Sequence, residues 1–401
     1  MNNLKEKLNK GYKKTTLKNV CFLEYGKKVK SGLRNYLEIG DINIEDKSYD
    51  ISRKEKRTVN GSIKVPKGTL LISRVRPTRG AITITKDEIN VSNAFCKIKL
   101  ENKYLYYILS REKFFEYLGS CSTGSTYHTC KDQDILNYKF LYIKNTKIQK
   151  QIAEILSKVD EDIEATEAVI KKTEKLKKGL MQKLLTKGIG HKKFKKTKWG
   201  IIPEEWEVKK IKDAEIDLVD GDRGVNYPKK NEFFEKEYCL FLSNKNIKND
   251  KFVFEEKVFI TKEKDEKLRK GRLNRGDIVL TTRGTIGTVG FYDDSIEFEN
   301  IRINSGMLIL RANRNFGQKF LYKLLASPFM KKKYKDIGTG SAQPQLPINV
   351  LKNIFIPIPS IKEQKEIARI LSKVDEKIEV YQEIRKKLEK LKKGLMQDLL
   401  K

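Results

Sequence analysis

The chemistry this chain of 401 residues offers is concentrated in two short runs where arginine stands beside glycine at the end of an apolar stretch. One is Ser73-Arg74-Val75-Arg76-Pro77-Thr78-Arg79-Gly80; the other is Thr282-Arg283-Gly284-Thr285-Ile286-Gly287. A guanidinium is a planar fork of donors that fits guanine O6 and N7, or a phosphate, while glycine lets backbone approach closely. For any one of Arg74, Arg76, Arg79 and Arg283 the plain alternative is a solvated turn arginine. Two polar loops add hydroxyl and amide groups suited to base edges: Gly124-Ser125-Thr126-Tyr127, where Ser125 and Tyr127 are the candidates, and Gln343-Pro344-Gln345, where Gln343 and Gln345 are. Thr285 joins this set. Lys27, Lys28, Lys30, Arg34 and Arg223, each after an early strand-like run, read as phosphate contacts.

Catalytic patterns are missing. There is no GxxxxGK[ST] phosphate loop and no Asp/Asn-Pro-Pro-Tyr/Phe run, and Gly338-Thr339-Gly340 precedes a Gln/Pro-rich loop where a dinucleotide fingerprint requires a helix. Glu204, Glu207 and Lys209 imitate a nuclease set, but their spacing is that of a charged turn. His128 and His191 have no nucleophile or orienting acid nearby in sequence. Cys121, His128 and Cys130 lie close together without a fourth ligand, in a segment that reads as a polar loop, so no metal site is assigned.

Lysine and arginine exceed aspartate and glutamate by enough to give a formal charge of +32, and the pI is about 9.7. An excess of that size points to an anionic polymer as partner. A lysine-rich genome bias is the alternative, but the excess is uneven: Lys187 to Lys198 holds six lysines and no acid. The five cysteines, Cys21, Cys96, Cys121, Cys130 and Cys239, are odd in number and scattered, as reduced thiols are. The first residues carry no apolar signal core, and no run of 18 apolar residues offers a membrane span, so a cytoplasmic protein without membrane contact is expected.

The elements that must position these groups are organised by a repeat. Ile148 to Lys187 returns at the C-terminus at a fixed offset, with about 26 of the 37 positions from Gln149 to Leu185 identical, including all of Leu176 to Gln182. Apolar residues step by three and four in both copies: Ile148, Ile152, Ile155, Val159 and Ile163 in the first, Ile367, Ile370, Val374 and Ile378 in the second. This spacing predicts two long helices, each with one apolar stripe, pairing as an antiparallel coiled coil. Gly179 and Gly394 sit at equivalent places, where close backbone approach would explain them.

Before each helix lies a mixed region. Strand-like runs fall at 20–23, 69–73, 81–85 and 95–100, a helix at 104–118, a polar loop at 119–131 and a last strand at 138–143. In the second half Gly276 to Arg283 answers Lys67 to Arg74, a helix is expected at 319–334, and a strand at 354–359 leads into the second long helix. The fold class is therefore α+β, as two pseudo-repeated domains, 1–147 and 201–357, joined by the helices 148–186 and 358–401, with 187–200 a basic, glycine-bearing linker.

Two divergent α+β domains, each followed by a near-identical helix, resemble the specificity subunit of type I restriction-modification enzymes over essentially the whole chain. The runs that carry the resemblance are Pro203-Glu204-Glu205-Trp206-Glu207, Gly276-Asp277-Ile278-Val279-Leu280-Thr281-Thr282-Arg283-Gly284 and Pro359-Ser360-Ile361-Lys362-Glu363-Gln364-Lys365-Glu366-Ile367-Ala368. The first half departs from the pattern, with Tyr12 to Leu17 where the tryptophan-bearing opening would stand. The resemblance implies a non-catalytic, DNA-binding subunit whose two target-recognition domains read the halves of a split duplex sequence, with the helices as a ruler. It also implies methyltransferase partner subunits, two of them, docked on those helices at Ile152, Ile155, Leu156 and Leu180 of the first and Ile367, Ile370, Leu371 and Leu395 of the second. S-adenosylmethionine, Mg²⁺ and ATP would reside on partners and none in this chain; translocating restriction subunits are a further expected partner. The competing readings are a self-contained nuclease or methyltransferase with an unrecognised site, and a coiled-coil scaffold that binds DNA without specificity.

Overall fold

Alternation decides the central strand of each half. Thr69–Ser73 is buried along its whole length, and its side chains divide between two faces as a strand's must. Leu70 and Ile72 enter one core with the helix Tyr104–Leu109, while Leu71 enters another with Val65, Val91 and Phe95. The computed structural model describes residues 11–400 apart from 31, 34, 52–56, 59–60, 125–126, 314–315 and 339–344. It repeats this division at Ile278–Thr281, where Ile278 and Leu280 face one core and Val279 the other.

The chain forms two units, Met1–Glu167 with Glu383–Lys401, and Ala168–Gln382. In the first, Phe22–Leu23, Phe95–Lys99, Thr69–Ser73 and Ile82–Ile84 lie side by side in that order, and a second sheet pairs Ile89–Val91 in parallel with Tyr36–Leu37. In the second unit, Ile216–Asp220, Met307–Ala312, Ile278–Thr281 and Val289–Phe291 take the same order, and Cys239–Leu242 pairs in parallel with Ile301–Ile303. The duplication thus extends to the domains, whose sequences have diverged. Tyr12–Thr16, standing where the first half departs from the tryptophan-bearing opening, is a strand antiparallel to Lys139–Ile143, as Glu207–Lys210 is to Phe355–Ile358.

The long helices run Thr146–Lys187 and Ile361–Leu399. Each unit is built on the start of one and the end of the other. In the first unit Ile152 and Leu156 share a core with Leu399 and Leu400, and the Tyr12 hydroxyl donates to the Leu399 carbonyl at 2.8 Å. In the second, Ile367 and Leu371 share a core with Met181, Leu184 and Leu185. The helices are therefore antiparallel within each unit. Ion pairs mark the register: Lys392–Asp160 at 2.6 Å and Arg385–Glu167 at 2.7 Å in the first unit, Lys177–Asp375 at 2.6 Å in the second. Between the two pairs of the first unit, one partner advances by as many residues as the other retreats. Lys392–Asp160 and Lys177–Asp375 are also the same pair seen in the two copies of the repeat. Each aspartate is tied as well to its own domain, Asp160 by the Tyr107 hydroxyl at 2.7 Å and Asp375 by the Lys323 ammonium at 2.5 Å.

Burial alone would raise the Asp375 pKa, but Lys323 and Lys177 outweigh it and hold the carboxyl below its usual range. A carboxylate with a depressed folded pKa contributes stability that is present above its unfolded pKa of about 3.9 and lost as pH falls through the folded value. Asp375→Asn is expected to lower the melting temperature at pH 7 by roughly 5 °C, and the gap from the parent protein should close as both are melted at falling pH. A gap of the same size at pH 7 and well below pH 3 would contradict this origin.

The stretch expected to be a linker is folded into the second unit. Phe194–Lys196 pairs with Ile201–Pro203, and Trp199 is buried, its indole N–H donating to the Leu185 carbonyl at 3.2 Å. Gly188 has φ +62° and lies so close to Glu363 and Trp206 that a Cβ would overlap them. Glu363 accepts from Ile189 N–H and Trp206 Nε1–H, each at 2.9 Å, and faces His191 Nε2 at 2.9 Å. These contacts give His191 and the Trp206 opening a structural role. Among the described residues no helix is long and apolar enough to cross a membrane.

Candidate nucleic-acid interface

In the first unit the arginine run and the polar loop, some fifty residues apart in sequence, are brought into one surface. Arg74 N–H donates to the Ala94 carbonyl at 2.9 Å, Arg74 O accepts from Cys130 N–H at 2.9 Å, and Arg76 N–H donates to the His128 carbonyl at 2.7 Å. Val75 bridges to Thr129, which bridges to Thr123. Above this backbone the Arg76 guanidinium lies 4.6 Å from the centre of the Tyr127 ring, and Tyr127 is 56 % exposed. Arg79 is exposed on the turn Pro77–Arg79, beside a shallow recess lined by Lys47, Gly80 and Phe115. Arg74 points the other way: it bonds to the Asn93 carbonyl and lies 3.6 Å from Asp132, so its charge is engaged within the domain. Beneath it Lys97 is buried, and burial together with Arg74 holds its ammonium below the ordinary lysine range.

Lys27 and Lys28 are exposed on the strand Lys27–Val29, and Lys30 is exposed just after it. Lys27 lies opposite Lys64 in the sheet. Arg34 and Ser125 fall outside the described residues, as does Gln343 in the second half. Cys121 and Cys130 flank the loop, and burial pushes the Cys130 thiol up to about 11. Among the described residues no group of three or more His, Cys, Asp or Glu could hold a metal ion.

The second unit carries the same construction. Thr282 N–H donates to the Gly306 carbonyl at 2.8 Å, Thr282 O accepts from Leu346 N–H at 2.9 Å, and Arg283 bridges to Gln345. These contacts make Thr282 the counterpart of Arg74, and Arg283 that of Val75. The correspondence read from sequence, which placed Arg283 on Arg74, is thus off by one residue, because the two turns differ in length beyond it. Arg283, Thr285 and Gln345 are all exposed. Arg223 donates to Asp220 Oδ1 at 3.1 Å and to the Ser305 carbonyl at 3.2 Å, next to Gly306, which lies against Arg283. Residues far apart in sequence, Arg223, Arg283 and Gln345, therefore converge around one turn. Asn244 is a member that sequence reading missed: its amide donates to the Arg283 carbonyl. Only the fold places it there.

The helix residues expected to meet partner subunits need correction. Ile152, Leu156, Ile367 and Leu371 have no exposed surface, and Ile155, Leu180, Ile370 and Leu395 pack against the same cores. Periodicity identified a buried stripe correctly, but the chain's own domains and helices occupy it. Exposed instead are Leu176, at 55 %, and its repeat counterpart Leu391, at 50 %; a Cβ at Gly179 or Gly394 would meet nothing within 4 Å.

Two duplicated α+β domains, each presenting a basic and polar turn, form the class of protein that carries a recognition surface in duplicate. The family model described as type I restriction modification DNA specificity domain matches the chain twice, over residues 9–175 and 203–390. The chain belongs to that family and is a type I specificity subunit with two target-recognition domains. It is 33 % identical over 361 residues to the type I restriction enzyme MjaVIII specificity subunit of Methanocaldococcus jannaschii, an alignment covering 87 % of this chain and 82 % of that one. The fold matches the crystal structure of the type I restriction-modification S subunit from M. genitalium with a TM-score of 0.62 at 16 % identity, over 98 % of this chain and 97 % of that one. A chain of a type I R-M system, solved in work on its complex assembly and conformational transition, matches with a TM-score of 0.56 at 16 % identity, over 97 % of both chains.

Proposed function

We propose that each unit reads one half of a split duplex target through the turn-and-loop surface described above, and that the chemistry of modification and cleavage belongs to partner subunits. Arg76, Arg79 and Tyr127 would face bases in one half-site, and Arg283, Thr285 and Gln345 in the other, with Lys27, Lys28, Lys30 and Arg223 on phosphates. The observation that carries this reading is that both units lock the same turn by the same backbone contacts and then display different polar side chains from it. Such a frame serves two readers of different sequence. The high positive charge supplies the salt-dependent part of the affinity.

Two methyltransferase subunits would dock on the exposed helix faces that contain Leu176 with Gly179, and Leu391 with Gly394. Identity of these faces beside divergent domains is what one kind of partner, bound twice, would require. S-adenosylmethionine, Mg²⁺ and ATP would enter with the partners, translocating restriction subunits among them where present, and the assembly would work in the cytoplasm. The purified chain is expected neither to methylate nor to cleave DNA when supplied with all three, whereas adding the methyltransferase subunits should give methylation at one two-part sequence. Methylation or cleavage by the chain freed of every partner would refute this reading in favour of a self-contained enzyme.

A further inference from the structure

The residue after the shared bridge differs between the units in a way that bears on recognition. In the second unit it is Gly284, at φ +68°. In the first it is Arg76, at φ +48°. Both backbones are left-handed, a conformation glycine takes freely and other residues adopt only under strain. Arg76 also precedes Pro77, which disfavours helical conformations in the residue before it and pushes that residue toward extended ones. The first unit thus keeps a long side chain where the fold favours the residue its twin has. It also holds the strained backbone in place, by the Arg76 N–H bond to His128 and by the Arg79 N–H bond to the Arg76 carbonyl at 3.0 Å.

Arg76 is half-buried, and strain retained at such a position is explained when the side chain is needed there. The Arg76 guanidinium has an exposed aromatic face beneath it, Tyr127 at 4.6 Å, which limits its freedom while leaving the fork's edge available. Among the other arginines of this run, Arg74 is engaged with Asn93 and Asp132. We propose that Arg76 is the guanine-reading residue of the first unit, its guanidinium aimed by stacking on Tyr127. Held this way, the fork can present two N–H donors to O6 and N7 of one guanine in the major groove. Tyr127 acts as a positioning residue. The inference rests on the DNA-reading assignment above and adds which base is read, and by which side chain.

The test uses the full chain assembled with its methyltransferase subunits, on duplexes carrying every single base-pair change in the methylation-mapped target. Arg76→Gly gives the first unit its twin's residue. It should melt at the same temperature or higher, because strain is relieved. It should also lose about 5- to 150-fold of discrimination at one G·C pair of one half-site and keep that of the other half-site. Arg76→Lys should lose the same discrimination while retaining most of its affinity for unrelated DNA, and Tyr127→Leu should lose part of the discrimination without losing charge. Unchanged discrimination in Arg76→Gly, whether or not the melting temperature falls, would overturn the proposal, as would an equal loss on every duplex, the mark of a phosphate contact. Parent protein with no half-site preference would overturn the DNA-reading assignment itself, and that result would be seen before any substitution.

Discussion

Replacing Arg283 with alanine is expected to weaken binding to the half-site read by the second unit by about 1 to 3 kcal/mol, and to leave the preference of the first unit unchanged. The structure makes this a clean substitution. Arg283 N–H donates to the Gly306 carbonyl at 3.2 Å, its own carbonyl accepts from Asn244, and its backbone bridges to Gln345. The turn is therefore held by main-chain contacts that alanine keeps, and only the exposed guanidinium is removed. Competition between duplexes altered in one half-site at a time measures the effect. A loss shared equally by unrelated sequences, with a salt dependence shallower by about one charge, would instead place Arg283 on a phosphate.

Much of this architecture could be read from the sequence, for reasons that differ by element. The helices expected at 148–186 and 358–401 are found at Thr146–Lys187 and Ile361–Leu399, because a strong 3.6-residue periodicity free of proline leaves few alternatives. Apolar runs flanked by turn residues likewise located Thr69–Ser73 and Phe95–Lys99. Periodicity shows that Ile152 or Leu371 is buried, however, and not what buries it; the burial comes from long-range packing that closes each unit on the end of the other helix. Tyr12–Thr16 is weakly patterned on its own for a similar reason, since its partner strand Lys139–Ile143 lies far along the chain. The stretch 187–200 looked like a linker from its lysines and glycines, yet one buried tryptophan and the three donors facing Glu363 order it. At the candidate interface residue types were informative and directions were not. Arg74 and Arg76 look alike in sequence, and the fold ties one to Asn93 and Asp132 and stacks the other on Tyr127.

We propose that the helix pair sets the gap between the two half-sites. The register of the ion pairs indicates how to change that gap without breaking the contacts that seat each domain. Insertions after Ile170 and after Tyr381 fall between the pairs of the first unit, Lys392–Asp160 and Arg385–Glu167, and the pair of the second, Lys177–Asp375. Adding one heptad at both places keeps the apolar stripes in step and lengthens each helix by about 10 Å with little rotation. At about 3.4 Å per base pair that is close to three base pairs. The deciding measurement is methylation mapping of DNA treated with this doubly extended chain assembled with its methyltransferase subunits. The predicted target has the same two half-sequences separated by a longer spacer, its length set jointly by the rise and by the roughly 35° that each added base pair turns the far half-site. Methylation of the original spacing alone, by a variant that folds and assembles normally, would show that something other than these helices sets the gap.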